Sequence, residues 1–204
     1  LTVPEARRLN ESIETLQIAD YDSDILVLAP HSGAIEANTE ESAQWFARKC
    51  TQYGVNVDVY TFRGFGRASF SRWHVGSSAF HLRSFPKLRE VASRQYSLVV
   101  AFHLRDIPDD ENPPEVRVGG LSDEALRERT ASRLDDALPS KYHIVTDPSR
   151  TMMGRSSANI TNNLSRDGRS GLQIESTPRN QQIRRKTVGR EMALSVLEYL
   201  GETE

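Results

Sequence analysis

The sequence predicts an α/β fold organised on a largely parallel sheet. Residues 25–29 and 97–105 contain short continuous apolar runs of the kind that form strands buried on both faces. Between them, residues 40–53 carry apolar side chains at helical spacing and residues 55–62 alternate as a strand does. This succession is typical of a right-handed crossover between parallel strands. With 204 residues the chain can form one sizeable core but is short for two, so we expect a single domain over residues 1–204.

The composition is that of a soluble globular protein. Apolar residues make up 37% and charged residues 26%, and no apolar window is long enough to cross a membrane. The single cysteine, Cys50, cannot form an intramolecular disulfide, and its place in a helical pattern predicts a buried structural thiol. The chain starts at Leu1 without methionine, which indicates processing. The sequence therefore leaves two locations open: the cytoplasm, or secretion followed by removal of a signal peptide.

The amino-terminal part of the chain is predicted to form a helix followed by the first buried strand. Leu9, Ile13 and Leu16 have the i, i+4, i+7 spacing of a helix, so we expect residues 4–18 to be helical. Pro30 has no N–H to donate to a sheet, so we expect it to end the strand that begins near residue 25.

The segment after Pro30 predicts a tight turn and then a helix. Ser32 and Gly33 can form a turn that brings His31 close to Glu36. The helix is expected to start near Thr39 and to end before Gly54, a typical residue after a helix end.

The rest of the chain alternates helices and strands in the same way. Residues 73–81 contain His74 and His81, and they are either a strand with surface imidazoles or a segment that places one histidine at the rim of a site. His143 is expected to be a structural strand residue. The other predicted elements are helices at 86–96, 122–138 and 181–200, strands at 116–120 and 171–175, and a surface loop at 107–114.

Two buried strands end in a histidine, which predicts a metal site. Adjacent parallel strands lie about 4.8 Å apart, so His31 and His103 can meet at the carboxyl edge of the sheet, where ligands gather in open α/β folds. A catalytic zinc commonly has three protein ligands and one open position, and His31, Glu36 and His103 fit this pattern. The alternative is a turn that merely contains one His and one Glu.

A catalytic zinc site also needs a base that is not a ligand, and Glu175 is the predicted one. It ends the strand-like run at residues 171–175 and could take the proton of an attacking water. The alternative role for Glu175 is an ion pair with Arg179 or another nearby cation.

Residues 150–190 differ from the rest of the chain in charge. They contain nine cations and two acids, although the whole chain has a net charge of −2. This asymmetry indicates an anionic partner, because arginines bind carboxylates in a two-pronged geometry. The alternative is that these cations are spread over a solvated surface. The segment has no aromatic residue, which counts against single-stranded nucleic acid.

The chain resembles the poly-γ-glutamate hydrolases of phage and bacteria, which are similar to small zinc carboxypeptidases. Six pieces carry the resemblance in order along the chain, and they lie at residues 31–36, 73–81, 99–103, 118–120, 159–162 and 171–175. Two positions depart from the family pattern: Ser32 stands where glycine is usual, and Leu104 with Arg105 follows His103 where a small residue is usual.

The resemblance implies an open, mixed α/β sheet, zinc held by His31, Glu36 and His103, and Glu175 as the base. The predicted substrate-binding residues are Asn159, Asn162, His74, Arg155 and Arg179. The expected function is zinc-dependent hydrolysis of γ-glutamyl amide bonds in an anionic polypeptide. A zinc peptidase or cell-wall amidase with another amide substrate is the alternative enzyme, and a polyanion-binding module is the alternative outside enzymes.

Overall fold

The computed structural model describes residues 1–19, 23–105 and 114–202, with the backbone alone at residues 178–183. These residues form seven strands and seven helices. In chain order they are α1 Val3–Leu9, β1 Ser12–Gln17, β2 Ile25–Gly33, α2 Thr39–Gln52, β3 Val57–Gly64, α3 Ser69–Trp73, α4 Pro86–Ala92, β4 Leu98–Leu104, β5 Glu115–Gly120, α5 Glu124–Ala137, β6 His143–Val145, α6 Ile160–Asn163, β7 Gly171–Ser176 and α7 Pro178–Leu200.

The described strands form one open, mixed sheet in the order β1-β3-β2-β4-β7-β5-β6. Its centre is parallel, because β3, β2, β4 and β7 all run in the same direction. The antiparallel pairs are β1 with β3 and β5 with β7. The predicted α/β class with a largely parallel, mixed sheet is confirmed.

The two faces of the sheet are covered by different helices. The back face packs Val27, Val100 and Ile174 against α2, α5 and α7. The front face packs Leu28 and Ala101 against α4 and α6. Because side chains alternate along a strand, this division decides which polar residues at the strand ends can meet.

Cys50 lies in α2 on the back face of the sheet, and it is a free, buried cysteine. Burial raises the pKa of its thiol to about 12, so the group is protonated at neutral pH. The predicted structural role of Cys50 is consistent with this environment.

The prediction of one helix over residues 4–18 is wrong. Helix α1 ends at Leu9, and Asn10 adopts a left-handed conformation with φ of 57°. The chain then turns back as β1, which places Ile13 opposite Arg63 and Leu16 opposite Tyr60 on β3. The apolar spacing was therefore a coincidence of two short elements, and pairing with a distant strand decided the structure.

Several smaller predictions can also be compared with the structure. Residues 73–81 are not a strand, because α3 ends at Trp73 and turns follow. The helix predicted at residues 122–138 is α5, which Asp123 caps by accepting a hydrogen bond from the N–H of Ala125. The loop predicted at residues 107–114 lies outside the described residues except for its last position. No described helix is both long enough and apolar enough to cross a membrane.

Candidate active site

Polar side chains converge on the front face where β2, β4 and β7 end. His103 on β4 and Glu175 on β7 are register partners, so their side chains point from the same face. The Nδ1 atoms of His103 and His31 are 3.1 Å apart. All three residues are buried. The structure thus brings together the two histidines and the acid that the sequence placed at strand ends.

His31 reaches this face because β2 is irregular at Pro30. Regular alternation would put His31 on the back face together with Ala29. The pairing with β3 shifts register between Ala29 and Ser32, and such a bulge reorients the side chains that follow it. The prediction that Pro30 ends the strand is wrong, because β2 continues to Gly33. Proline is tolerated at a bulge, where it need not donate a ladder hydrogen bond.

The turn after β2 carries Glu36 back to His31. The N–H of Glu36 donates to the carbonyl of His31 at 2.6 Å. Gly33 has a φ of +74°, and a Cβ there would lie 2.6 Å from the carbonyl oxygen of Gly64, so only glycine fits this turn. The local chemistry of the turn therefore fixes the short spacing between the histidine and the carboxylate.

The carboxylate of Glu36 lies between the histidines. Its Oε1 is 2.8 Å from Nδ1 of His31, and its Oε2 is 3.5 Å from Nδ1 of His103. Oε2 also accepts a hydrogen bond from the N–H of Leu104. Burial raises the pKa of Glu36, but the charge of His31 and hydrogen bonds from three histidines outweigh it and hold the pKa well below its usual range. Glu36 is therefore ionised, as a metal ligand must be.

The donor set fits a cation. Nε2 of His31 is 2.6 Å from the carbonyl oxygen of Val75, an arrangement in which Nε2 carries the proton. A bound cation would replace the proton through which Nδ1 of His31 bonds to Glu36, and the freed lone pair would then lie beside two further lone-pair donors, the Glu36 carboxylate and Nδ1 of His103. A cation between these atoms satisfies all three groups at once. A carbonyl that orients a ligating histidine is a common feature of metal sites.

His74 is a fourth group close to this cluster. Its Nε2 is 3.6 Å from Oε1 of Glu36, and the His31, Glu36 and His74 ligand atoms lie within 4.8 Å of one another. His74 follows the short helix α3 and its side chain is 28% exposed, whereas His103 is 2% exposed and ends a central strand. His74 therefore lies at the rim, and His81, the other histidine of this segment, is exposed.

Glu175 has the environment of a base. Its pKa is raised to about 7: burial is the largest cause and the Glu36 carboxylate also raises it, and together they outweigh His103, a hydrogen bond from Gln173 and Arg105, which lower it. A base whose pKa is near the working pH is the most effective in catalysis. The alternative pairing of Glu175 with Arg179 involves a side chain in the part of α7 where the backbone alone is described.

A chain of amides holds Glu175, and its central member, Gln173, was not predicted from the sequence. Gln173 is two residues earlier on β7, so it lies on the same face, and its Nε2 donates to Oε1 of Glu175 at 2.9 Å. Asn159 donates to Oε1 of Gln173 at 2.9 Å, which orients the amide of Gln173. The side-chain oxygen of Asn159 in turn accepts from the N–H of Thr161 at the start of α6. The strand period could have identified Gln173.

Two buried arginines also lie beside Glu175, and neither was predicted from the sequence as a site residue. Arg117 is its register partner on β5, and Arg105 directly follows β4. Both donate to Oε2 of Glu115, at 3.2 Å from Arg105 and 3.0 Å from Arg117, and Arg150 binds the other oxygen of that carboxylate. Their proximity depends on the antiparallel pairing of β5, which no local pattern predicts.

The predicted substrate-binding residues are distributed unevenly. Asn159 and Asn162 are both buried, and the Asn162 amide donates to the carbonyl oxygens of Gly154 and Ser156, so it connects loops. Arg155 is exposed and shares a surface cavity with Gln95 and Arg169, which lie beside the amino ends of β4 and β7. Arg155 is thus at the opposite end of the strands from Glu175.

The cations of residues 150–190 do not form one surface around the base. Arg150 pairs with Glu115, Arg166 pairs with Asp24 near the amino ends of the strands, and Lys186 lies on α7 beside Trp45. The described cations of this segment are therefore spread over the molecule, which is the alternative that the sequence left open, and they do not gather around Glu175. Sequence proximity did not produce a spatial cluster, because the segment passes from the start of β5, by way of the amino ends of the strands, to α7 on the back face.

Comparisons with known proteins identify the family of the chain. The chain matches the family model described as poly-gamma-glutamate hydrolase over residues 6–192. No curated protein sequence matches it.

Three solved structures share the fold. A bacteriophage poly-gamma-glutamate hydrolase has a TM-score of 0.72 at 21% identity, over 92% of this chain and 90% of its own. YNDL, solved in a zinc-free form, has a TM-score of 0.64 at 22% identity, over 92% of this chain and 89% of its own. A metallo-carboxypeptidase from Pseudomonas aeruginosa has a TM-score of 0.56 at 14% identity, over 94% of this chain and 61% of its own. The predicted carboxypeptidase-like fold is confirmed.

Proposed function

The chain belongs to the poly-γ-glutamate hydrolase family, and we propose that it cleaves the γ-glutamyl bonds of poly-γ-glutamate with one zinc ion. Membership of this family makes the chain a hydrolase and implies an anionic polypeptide substrate. The observation that carries this proposal is the convergence of His31, Glu36 and His103 next to a buried carboxylate, Glu175, whose pKa is raised to about 7. Two imidazoles, one carboxylate and a separate base are the parts that zinc-dependent amide hydrolysis requires.

His31, Glu36 and His103 are the proposed zinc ligands. All three are buried, and two of them are fixed in orientation, His31 by the carbonyl of Val75 and Glu36 by the N–H of Leu104. When bound, zinc supplies a Lewis acid that polarises the amide carbonyl and lowers the pKa of a water molecule.

Glu175 is the proposed general base. It accepts a proton from the attacking water and returns the proton to the nitrogen of the leaving amine, so that the amide bond breaks without releasing an unstable anion. Gln173 holds one oxygen of Glu175 and leaves the other available for the proton. Arg105 and Arg117 place positive charge beside the base, where negative charge develops on the carbonyl oxygen during attack.

The first test is metal content. Purified protein should hold about one zinc per chain, and His103→Ala should lower zinc affinity by orders of magnitude, because two remaining ligands cannot complete the coordination shell. His74→Ala is the matched control, since it removes a rim histidine that is near Glu36 but outside the proposed ligand set. If His74→Ala lost zinc while His103→Ala kept it fully, His74 rather than His103 would be the zinc ligand.

The second test is substrate. The zinc-loaded protein should shorten poly-γ-glutamate and leave poly-α-glutamate and neutral amides intact, as measured by product length. Cleavage of neutral peptides at the same rate would instead indicate a general zinc peptidase. A zinc-loaded protein that cleaves no amide would contradict the proposed function.

A further inference from the structure

Helices α2 and α7 pack closely on the back of the molecule and form a shallow groove between them. The hydroxyl of Ser42 on α2 donates to the carbonyl of Arg185 on α7 at 3.1 Å. A Cβ on Gly189 would lie 2.3 Å from the carbonyl oxygen of Ser42, so glycine is what permits this approach. The close contact brings side chains of both helices around one indole ring, that of Trp45.

Four of the six residues that line the groove are cations: Arg48, Lys49, Lys186 and Arg190. It has a volume of about 220 Å³ and is bounded by Trp45, Arg48, Lys49, Gln52, Lys186 and Arg190. Nζ of Lys186 is 4.5 Å from the Trp45 ring centroid, and the guanidinium carbon of Arg48 is 5.2 Å from it. The ring therefore holds a cation from each helix in place through cation–π contacts.

These four cations have no carboxylate partner in the described part of the chain, which sets them apart from their neighbours. On α5, which also packs on α7, Arg129 and Arg133 both bind Glu198. The groove thus combines uncompensated positive charge with fixed positions. Unpaired like charges repel one another, so an anionic ligand that neutralises them would bind favourably.

We propose that the groove between α2 and α7 is a second binding site, outside the catalytic centre, for the carboxylates of a poly-γ-glutamate chain. This inference rests on the proposed function for the identity of the polymer. Charge complementarity favours an acidic polypeptide, which presents one carboxylate per residue to four cations. Single-stranded nucleic acid fits less well, because it needs free aromatic faces and the Trp45 ring is already in contact with Lys186 and Arg48.

The position of the groove suits a polymer that also enters the active site. Helix α2 begins at Thr39, three residues after Glu36, and α7 begins at Pro178, three residues after Glu175. At 1.5 Å per residue, Trp45 is about 9 Å and Lys186 about 12 Å along their helices from these starts. An extended α-linked polypeptide covers such a distance in about four residues, and a γ-linked chain covers it in fewer, because each of its residues adds two more backbone bonds. A long chain can therefore occupy both sites at once, whereas the shortest oligomers cannot.

The test compares two charge-reversed double variants. Lys186→Glu with Arg190→Glu removes half of the groove's cations, and Lys87→Glu with Arg89→Glu makes the same charge change on α4, which covers the opposite face. Binding is measured by titrating poly-γ-glutamate of long and short chain length into each variant in a Glu175→Gln background, so that the ligand is not consumed. Thermal unfolding of both variants establishes that they are folded.

We expect the groove variant to bind the long polymer about tenfold more weakly at low salt, because two attractions become two repulsions. This loss of affinity should be smaller at high salt, and the affinity of the α4 variant for the long polymer should stay within about twofold of that of its parent. With Glu175 intact, the groove variant should show a raised KM for the long polymer, an unchanged kcat and unchanged cleavage of short oligomers.

Three results would overturn the inference: equal effects of the two variants, equal losses for long and short polymer, or tighter binding of oligothymidylate than of poly-γ-glutamate at the groove. These results are separable from failure of the proposed function. If the protein cleaves no γ-glutamyl bond, the binding comparison still decides whether the groove takes the polymer. If it cleaves the polymer and the variants do not differ, only the second site is rejected.

Discussion

Asp58 and Glu175 are both buried carboxylates on the front face of the sheet, but they lie at opposite strand ends and in opposite chemical situations. Asp58, near the start of β3, accepts from the N–H of Ala19 at 2.9 Å and from the hydroxyl of Tyr96 at 2.7 Å, and Arg94 lies 3.4 Å away. Its oxygens are thus satisfied by donors. Burial and the bond to Asp58 raise the pKa of Tyr96, so the phenol remains a donor.

Glu175 has the opposite surroundings. It has one amide donor, Gln173, and another carboxylate, Glu36, nearby, and its pKa is raised to about 7, mainly by burial. Among the residues that the structure describes, the buried Nε2 of the neighbouring His103 has no hydrogen-bond partner. A buried charge with complete hydrogen bonding stabilises a fold, whereas buried groups left incomplete at a strand end are available for a ligand or a proton.

The largest expected effect is on turnover. Glu175→Gln keeps the shape of the side chain but cannot accept a proton, so turnover of poly-γ-glutamate should fall by about 10²- to 10⁴-fold while zinc is retained. Rates and metal content of the same preparation check this. Loss of zinc together with activity would make Glu175 a ligand and would require a different base.

Asp58→Asn should affect stability instead. The change leaves Arg94 beside a neutral group and removes the charge that Tyr96 and Ala19 bind, so the free energy of unfolding should fall by about 3 kcal/mol. Urea unfolding measures this loss, and turnover of the folded fraction should stay near that of the parent. A large loss of turnover at unchanged stability would erase the distinction between the two carboxylates.

The pH dependence of stability sharpens the same contrast. The pKa of Glu175 is about 7 in the folded protein and ordinarily 4.5, so the unfolded state releases this proton first and stability falls as pH rises between these values. Glutamine cannot ionise. In metal-free protein, the free energy of unfolding of Glu175→Gln should therefore exceed that of the parent by up to about 3 kcal/mol at pH 8, with no such gain at pH 4. Equal stability differences at both pH values would contradict this explanation.

The smallest expected effect concerns Gln173. Gln173→Leu removes the hydrogen bond that favours ionised Glu175, so kcat should fall by about tenfold and the acid limb of the pH profile should move to higher pH. Gln173→Glu still accepts a hydrogen bond from Asn159 but places a second carboxylate next to Glu175. The acid limb of its pH profile should therefore move further than that of Gln173→Leu. A uniform loss of activity with an unmoved pH profile would indicate a merely structural role.

Local sequence pattern was sufficient for the centre of the molecule. The apolar runs that became β2, β4 and β7 predicted buried parallel strands, because a strand covered on both faces needs no polar alternation. Their carboxyl ends then carried His31, His103 and Glu175 to one edge of the sheet. Both steps use only strand length and direction, which the residues themselves encode.

Where pairing with distant residues competes with local spacing, the sequence was insufficient. Residues 12–17 became β1 rather than part of a helix, because β3 offered an open edge for pairing. The bulge at Pro30, which turns His31 to the front face, likewise exists only in the pairing of β2 with β3. A change of one residue in register moves a side chain to the other face, and no short motif contains that information.

By itself, the sequence determined which chemistry is available: two histidines and two carboxylates at strand and turn positions, within a recognisable family order. Only the tertiary structure decided which of the remaining polar residues join them. It brought Arg117 to Glu175 through the antiparallel placement of β5 and Arg105 through the pairing of β4 with β7, and it placed Arg155 at the far end of the strands. The physical reason is that strand order and direction are set by burial of the whole sheet, to which single polar side chains contribute little.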